Sequence, residues 1–286
     1  VPDRAGVRLR TGKTNVLSLV MEGTANSMEF TRHLIEGIGR HINGTQYNLN
    51  VTPDFAGNGS AKTVEHLLKN NFADGIILTG TSPRDTRVQA LTDAGRPFVT
   101  HGRTEFFSPH AYHDFDSERF VQISVDRLVS QGCKHLLLYS PNEQSMNHHT
   151  IVRAFRAAVA DHGIRFQVAE SVPPGAPSST IRQQGFEIAS APDRPDGIIC
   201  DTEVLGLPLL CGLKDGGLTP GVEIKTVAKQ AGDILSTIFP EIDTVSEHVV
   251  EAGEELARLL LARINGAPIS DLQTLGAPRP SWEVPD

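Results

Sequence analysis

The stretch DGIILTGTSPRDTRVQALTDAGRPFVT, residues 74–100, decides the fold class. Gly75-Ile-Ile-Leu78 is a short apolar run without polar alternation, the pattern of a strand covered on both faces. Val88 and Leu91, three residues apart, mark one face of a helix, and Pro97-Phe-Val-Thr100 opens a second short apolar run. Strand, helix and strand in immediate succession make a βαβ unit. Its two strands then lie parallel, with the helix covering the sheet.

The same alternation continues in both directions. Upstream, Val16-Leu-Ser-Leu-Val20 reads as a buried strand, followed by a helix through Phe30, Leu34, Ile35 and Ile38. Tyr47–Val51 is a second strand, and Val64, Leu67 and Leu68 mark a helix face. Downstream the pattern restarts with a helix from Phe120 to Val129, a strand at His135–Tyr139, a helix from Ile151 to Val159 and a strand at Phe166–Val168. Beyond a Pro/Gly/Ser-rich loop, Pro173–Ser179, come another helix, strand Gly197–Cys200, helix Val204–Leu213 and strand Val222–Val227. Val249, Leu256, Leu259, Leu260 and Ile264 keep helical spacing over Glu247–Ile264, and Asn265-Gly-Ala-Pro268 stops that helix. The segment Leu272–Val284 is expected to add edge strands. The fold class predicted is α/β: two doubly wound parallel-sheet lobes, with the chain crossing between them several times.

Composition narrows the function classes. A chain of 286 residues, 39% hydrophobic and 21% charged, is that of an ordinary globular protein, and no run approaches the ~18 consecutive apolar residues of a membrane span. There is no visible export signal, so a cytoplasmic location and no membrane partner are expected. The three cysteines, Cys133, Cys200 and Cys211, have no short spacing and read as packing residues in a reducing compartment. The formal charge is −8, yet the first fifteen residues, VPDRAGVRLRTGKTN, set Arg4, Arg8, Arg10 and Lys13 against a single acid, Asp3. Such a leader suits a polyanion such as nucleic acid, or is a solvated tail.

Catalytic and metal chemistry find little support. In a strand, His113 faces away from Asp114 and Asp116, so one metal ion does not collect all three. Gly57-Asn-Gly-Ser-Ala-Lys62-Thr63 lacks the adjacent lysine and hydroxyl of a phosphate loop. The glycines of Gly37-Ile-Gly39 lie mid-helix and read as marks of close packing. No nucleophile elbow is present. An enzyme is not expected, nor any cofactor or metal.

In order along the chain, several segments resemble the lac-repressor (LacI/GalR) family of bacterial transcription regulators. Arg8–Asn15 with its apolar strand resembles the link from hinge helix to core, and Asp74-Gly-Ile-Ile-Leu78 the family's DGIIL strand. Gly95-Arg-Pro-Phe-Val99 with Arg103, Asp116 with its helix to Gly132, Thr202-Glu203, and Gly253–Ile264 follow in the family's order, over residues 4 to about 284. The resemblance implies a type I periplasmic-binding-protein-like core whose small effector, a sugar or sugar derivative, sits in an interlobe cleft and modulates operator DNA binding. DNA contact would run through a headpiece absent from this chain. A homodimer is implied, with the helices near Ala61–Asn70 and Arg84–Ala94 as candidate faces. The expected organisation is a linker over residues 1–13, an N-terminal lobe of 14–115 plus 246–271, and a C-terminal lobe of 116–245 plus 272–286. The sequence departs from the family where Ile151 replaces an arginine, Gln230 the usual effector-binding aspartate, and Gly102 the aspartate before Arg103. An exported solute-binding protein of a sugar uptake system is the alternative.

Ligands of doubly wound sheets sit beyond the carboxyl ends of the strands. Arg103 clamps a diol or acid there, or forms a structural ion pair. Asn147 and His149 offer donors and acceptors, or cap a helix. Thr202 and Glu203 bind ligand, or cap and compensate a helix dipole. Gln230 takes the place of the family's aspartate, Asp116 serves hinge or ligand, and Phe30 stacks on a sugar face or lies in the core. Thr24 and Asn26 complete the candidate set in a loop about two residues longer than the family's.

Overall fold

A computed structural model describes residues 13–22, 28–54, 60–105, 109–140, 145–169, 172 and 176–283. The elements run β1 (Val16–Glu22), α1 (Met28–Ile42), β2 (Asn48–Asp54), α2 (Lys62–Asn70), β3 (Gly75–Leu78), α3 (Thr86–Asp93), β4 (Phe98–His101) and β5 (Tyr112–Phe115). They continue with α4 (Ser117–Ser130), β6 (His135–Tyr139), α5 (Met146–His162), β7 (Arg165–Val168), α6 (Ser178–Ser190), β8 (Gly197–Cys200), α7 (Glu203–Asp215) and β9 (Lys225–Gln230). The chain closes with α8 (Ile234–Ile238), β10 (Asp243–Ser246), α9 (Val249–Ile264), a 3-10 turn at Ile269–Asp271, β11 (Gln273–Gly276) and β12 (Arg279–Pro280). Two compact units result: Val1–Thr24, Thr31–Asp114 and Val249–Leu275 form the first; Ala25–Phe30, Phe115–His248 and Gly276–Asp286 form the second.

Each unit carries a six-stranded sheet. The first is ordered β11-β5-β4-β3-β1-β2 and the second β12-β10-β9-β8-β6-β7. In both, the first strand in sequence lies between the second and third, and the strands from β1 to β5 and from β6 to β10 pair in parallel; β12 is antiparallel to β10. The chain therefore reverses its direction of travel across the sheet at β1/β3 and again at β6/β8. Strands splay their following loops apart at such switch points, which is where this architecture binds ligands.

Period-two side-chain alternation covers both faces of the second sheet. Leu136, Leu138 and Ile199 pack with Phe120, Ile151 and Phe155 of α4 and α5, while Leu137, Tyr139, Ile198 and Cys200 pack with Ile181, Leu209 and Leu213 of α6 and α7. In the first unit Val20, Ile76 and Leu78 meet Val64, Leu67, Val88 and Leu91 of α2 and α3. Cys133 and Cys200 are buried, as their apolar settings predict, and burial pushes the Cys133 thiol up to about 11.

Glycines set the closest helix contacts. A Cβ on Gly37 of α1 would lie 2.0 Å from the Val250 carbonyl oxygen of α9, and one on Gly253 would lie 2.5 Å from that of Leu34. The second unit repeats the device, with Gly185 and Gly212 bringing α6 and α7 backbone to backbone. Gly39 departs from the expectation, since a Cβ there meets nothing within 4 Å.

Two strand boundaries also differ from expectation. β2 runs on to Asp54 because it pairs with β1 residue by residue as far as Glu22. The strand expected at Val222–Val227 begins at Lys225 instead, since Gly221, at φ +87°, turns the chain and donates its N–H to the Ile224 carbonyl.

Candidate functional site

At the switch point of the second unit the chain leaves β6 at Ser140 and β8 at Asp201. Both side chains are buried. The Ser140 hydroxyl donates to Asp201 Oδ2, and Asp201 Oδ1 has no hydrogen-bond partner among the described residues. Burial pushes the Asp201 carboxyl above its ordinary value, against the Ser140 hydrogen bond and the charges of Lys229 and His148. His148, in the first turn of α5, lies 2.5 Å through Nδ1 from the Ser140 carbonyl oxygen and 3.3 Å from its hydroxyl. A carbonyl oxygen only accepts, so Nδ1 carries a proton there.

The neighbouring strands add charge. Lys229 of β9 is buried, with Nζ 3.1 Å from Glu247 Oε2 and 4.9 Å from the centroid of the Phe115 ring. Burial of an ammonium is tolerated only with such partners. Gln230, next along β9, points to the other face, where Nε2 lies 3.3 Å from Thr244 Oγ1 and Oε1 is buried without a partner. Glu203 is buried and accepts from the backbone N–H groups of Ala231 and Gly232 at 3.0 and 3.3 Å, which fixes the loop beyond β9.

Helix entries account for several expected residues. Thr202 caps α7 by accepting from the Leu205 N–H, and Asp116 caps α4 by accepting from Arg119. Asn147 Oδ1 accepts from the Ser117 hydroxyl at 2.7 Å, while the cap of α5 is Ser145. His149 is exposed, edge-on to the His148 ring at 5.7 Å. The second unit thus gathers Asn147, His149, Thr202, Glu203 and Gln230 at one end of its sheet, and Asp116 at the entry to α4.

In the first unit the loop after β3 is tied down by Arg87. Its guanidinium is fully buried and donates to both Asp85 carboxylate oxygens and to the carbonyls of Thr79 and Gly80. Arg103 lies past the end of β4, where Nε donates to Asp114 Oδ2 at 2.6 Å; the ion-pair reading of this residue is the one realised in its own unit. Gly102 adopts φ +104°, and a Cβ there would lie 2.6 Å from Thr81 Oγ1, so the family's aspartate does not fit this turn. Phe30, half-buried, is in the first turn of α1. Thr24 and Asn26 lie outside the described residues.

The rule that ligands lie past the carboxyl ends of the strands covers the loops Ser140–His149, Asp201–Glu203 and Lys229–Gly232, but sequence reasoning assigned no role to Ser140, His148, Asp201 or Lys229 within them and missed Glu247. The available signal was polar residues directly after, or inside, runs whose pattern demands burial on both faces. Asp201 after Gly197–Cys200 and Lys229 inside Thr226–Gln230 are of that kind. Among the described residues there is no group of three or more metal-capable side chains placed to share an ion, and no helix long and apolar enough to cross a membrane.

The profile of the periplasmic binding protein-like domain matches residues 125–281, more than half of the chain. This chain belongs to the periplasmic binding protein-like family. Its relatives are regulators rather than enzymes: the HTH-type transcriptional regulator RafR of Escherichia coli is 26% identical over 97% of this chain and 83% of its own. Among solved structures, a probable maltose operon transcriptional repressor from Staphylococcus aureus superposes with a TM-score of 0.83 at 16% identity, covering 95% of this chain and 97% of that one. The transcriptional regulator CelR–cellobiose complex superposes at 0.79 and 18% identity, covering 94% and 83%. The periplasmic binding protein-like architecture expected from the lac-repressor resemblance is therefore the one found.

Proposed function

We propose that this chain is the effector-sensing core of a LacI-type transcriptional regulator. A small sugar or sugar derivative binds at the carboxyl ends of the parallel strands and changes the protein's affinity for operator DNA. The observation that carries the reading is the buried polar cluster at the β6/β8 switch point, on a chain whose relatives over nearly its whole length are HTH-type regulators. The cellobiose complex of a structural neighbour supports a sugar as the guest. Ligand contacts are assigned to Asn147, His149 and Gln230, together with Ser140 and Asp201, and in the first unit to Arg103. Thr202, Glu203 and Asp116 position the loops around them. We place the protein in the cytoplasm as a homodimer, and the regulator relatives favour this over an exported solute-binding protein.

Two orphan acceptors and a majority of acidic groups favour a neutral polyhydroxylated guest over an anionic one. A thermal-shift screen of cellobiose, other oligosaccharides, polyols and sugar acids tests this. Saturation at a hundredfold excess over Kd stabilises by about 2.7 kcal/mol, a rise of several degrees. A sugar that raises the midpoint while its uronic acid does not supports the reading, and a screen in which only acids act refutes it. Light scattering at micromolar concentration tests the dimer.

A further inference from the structure

The junction of the basic leader with the first sheet is held by one carboxylate. Asp74, immediately before β3, accepts from the Thr14 N–H at 2.7 Å and the Thr14 hydroxyl at 2.8 Å through Oδ1, and from the Asn15 N–H at 2.9 Å through Oδ2. Its own N–H donates to the Val16 carbonyl at 2.8 Å, so residues 14–16 are bound from both sides of one peptide. Asn15 is turned to φ +53°, and its carbonyl accepts from the Asn48 N–H at 2.9 Å, which adds β2 to the junction. Hydrogen bonds to an ionised acceptor are the strong ones, and three on one carboxylate leave the chain a single direction of entry into β1. The Asp74 charge, after burial, also raises the Tyr47 phenol, which places this carboxylate's field at the same corner.

We propose that Asp74 is the positioning residue of the leader: it fixes residues 14 and 15 to the first unit, so that the segment carrying Arg4, Arg8, Arg10 and Lys13 starts from a rigid point of the sheet. This rests on the regulator reading for its purpose, since a signal reaches DNA through this segment only if its root follows the core. The clasp itself stands or falls independently of any ligand.

The test uses the 286-residue chain and two variants, Asp74→Asn and Thr14→Val. Hydrogen exchange is read at the Thr14 and Asn15 amides and limited trypsin cleavage at the Lys13–Thr14 bond, with the thermal midpoint taken in parallel. Asp74→Asn is expected to accelerate exchange at both amides and cleavage after Lys13 by about tenfold or more, because a neutral amide replaces the shared charged acceptor. Thr14→Val, which removes one of the three bonds to Asp74 and the long 3.3 Å bond that the Thr14 hydroxyl accepts from the Val16 N–H, is expected to give a smaller acceleration with the midpoint unchanged. Equal protection in wild type and Asp74→Asn would overturn the proposal. If Asp74→Asn lowers the midpoint strongly, Thr14→Val decides alone, and unchanged exchange and cleavage in that variant overturn it. A chain that binds no sugar would remove the effector-sensing reading while leaving these outcomes decisive for the clasp.

Discussion

Gly37 and Gly39 lie two residues apart on α1, yet alanine at the two sites is expected to act with opposite sign. At Gly37 a Cβ would lie 2.0 Å from the Val250 carbonyl oxygen, 2.9 Å from its carbon and 3.0 Å from the Glu254 nitrogen, all backbone atoms of α9. Ordinary contact begins at 3.4 Å, so α1 and α9 must part by about 1.4 Å along that line (3.4 − 2.0). Backbone cannot swing aside as a side chain does. The separation loosens the packing of Leu34, Ile38, Leu256 and Leu260, all buried, and overpacking of this kind costs about 1–3 kcal/mol. The better helix propensity of alanine returns at most about 1 kcal/mol. At Gly39 nothing lies within 4 Å, and only the propensity gain remains. Gly37→Ala should therefore lower the stability of the first unit by about 1–2 kcal/mol net, and Gly39→Ala raise it by up to about 1 kcal/mol. At roughly 3–5 °C per kcal/mol for a unit of this size, the two midpoints differ by several degrees in scanning calorimetry. Equal midpoints, or stabilisation by both, would refute the backbone contact.

The Asp201 carboxyl is pushed up by burial, so between its unfolded value near 3.9 and its higher folded value the native state holds the extra proton. Stability then falls as pH rises through that window, and the penalty remains at neutral pH. Asp201→Asn should be more stable than wild type at pH 7, with the difference closing below about pH 4; urea midpoints at the two pH values check it, and a pH-independent difference would remove the buried acid from the account. Glu247→Gln strips the charge from the partner of buried Lys229 and is expected to cost about 3 kcal/mol or more in denaturant unfolding, whereas a loss below about 1 kcal/mol would mean the pair is solvated. Arg103→Ala should weaken the sugar found by thermal shift at least about tenfold in calorimetry, as expected for loss of a charged hydrogen-bonding group; unchanged affinity would leave this residue to its ion pair with Asp114.

The fold was legible because burial on both sheet faces writes itself as uninterrupted apolar runs. Gly75–Leu78, His135–Tyr139 and Gly197–Cys200 are strands at the residues the pattern names. β10 was not legible, since Asp243–Ser246 has two buried residues between polar ends and owes its place to pairing with β9. The site was legible by position and not by chemistry. The rule that ligands lie past the carboxyl ends pointed to the loops at Ser140, Asp201 and Gln230, but which side chains turn inward depends on parity along each strand. Gln230 and Lys229 point to opposite faces, and only the register of β9 against β8 brings Lys229 towards Asp201. A sequence does not display a register.

The second unit's polar residues divide by what they have already bonded. Thr202 Oγ1, Asp116 Oδ1 and Glu203 Oε2 already accept from backbone N–H groups. Asp201 Oδ1 and Gln230 Oε1 are buried acceptors with no donor among the described residues, and an unmet buried polar atom costs about 1–3 kcal/mol. A protein retains such a cost where something recovers it. Water would recover part of it at any pH and any solute concentration, whereas a guest hydroxyl that donates to either oxygen recovers it only when bound. The difference is free energy that depends on occupancy, and a sensor requires that dependence. The family's aspartate at the position of Gln230 would carry a charge there; the amide keeps the acceptor without it, at the end of a sheet where Asp201, Glu203 and Glu247 already concentrate acid. On the function proposed above, that substitution tunes the same end of the sheet towards neutral hydroxyl donors.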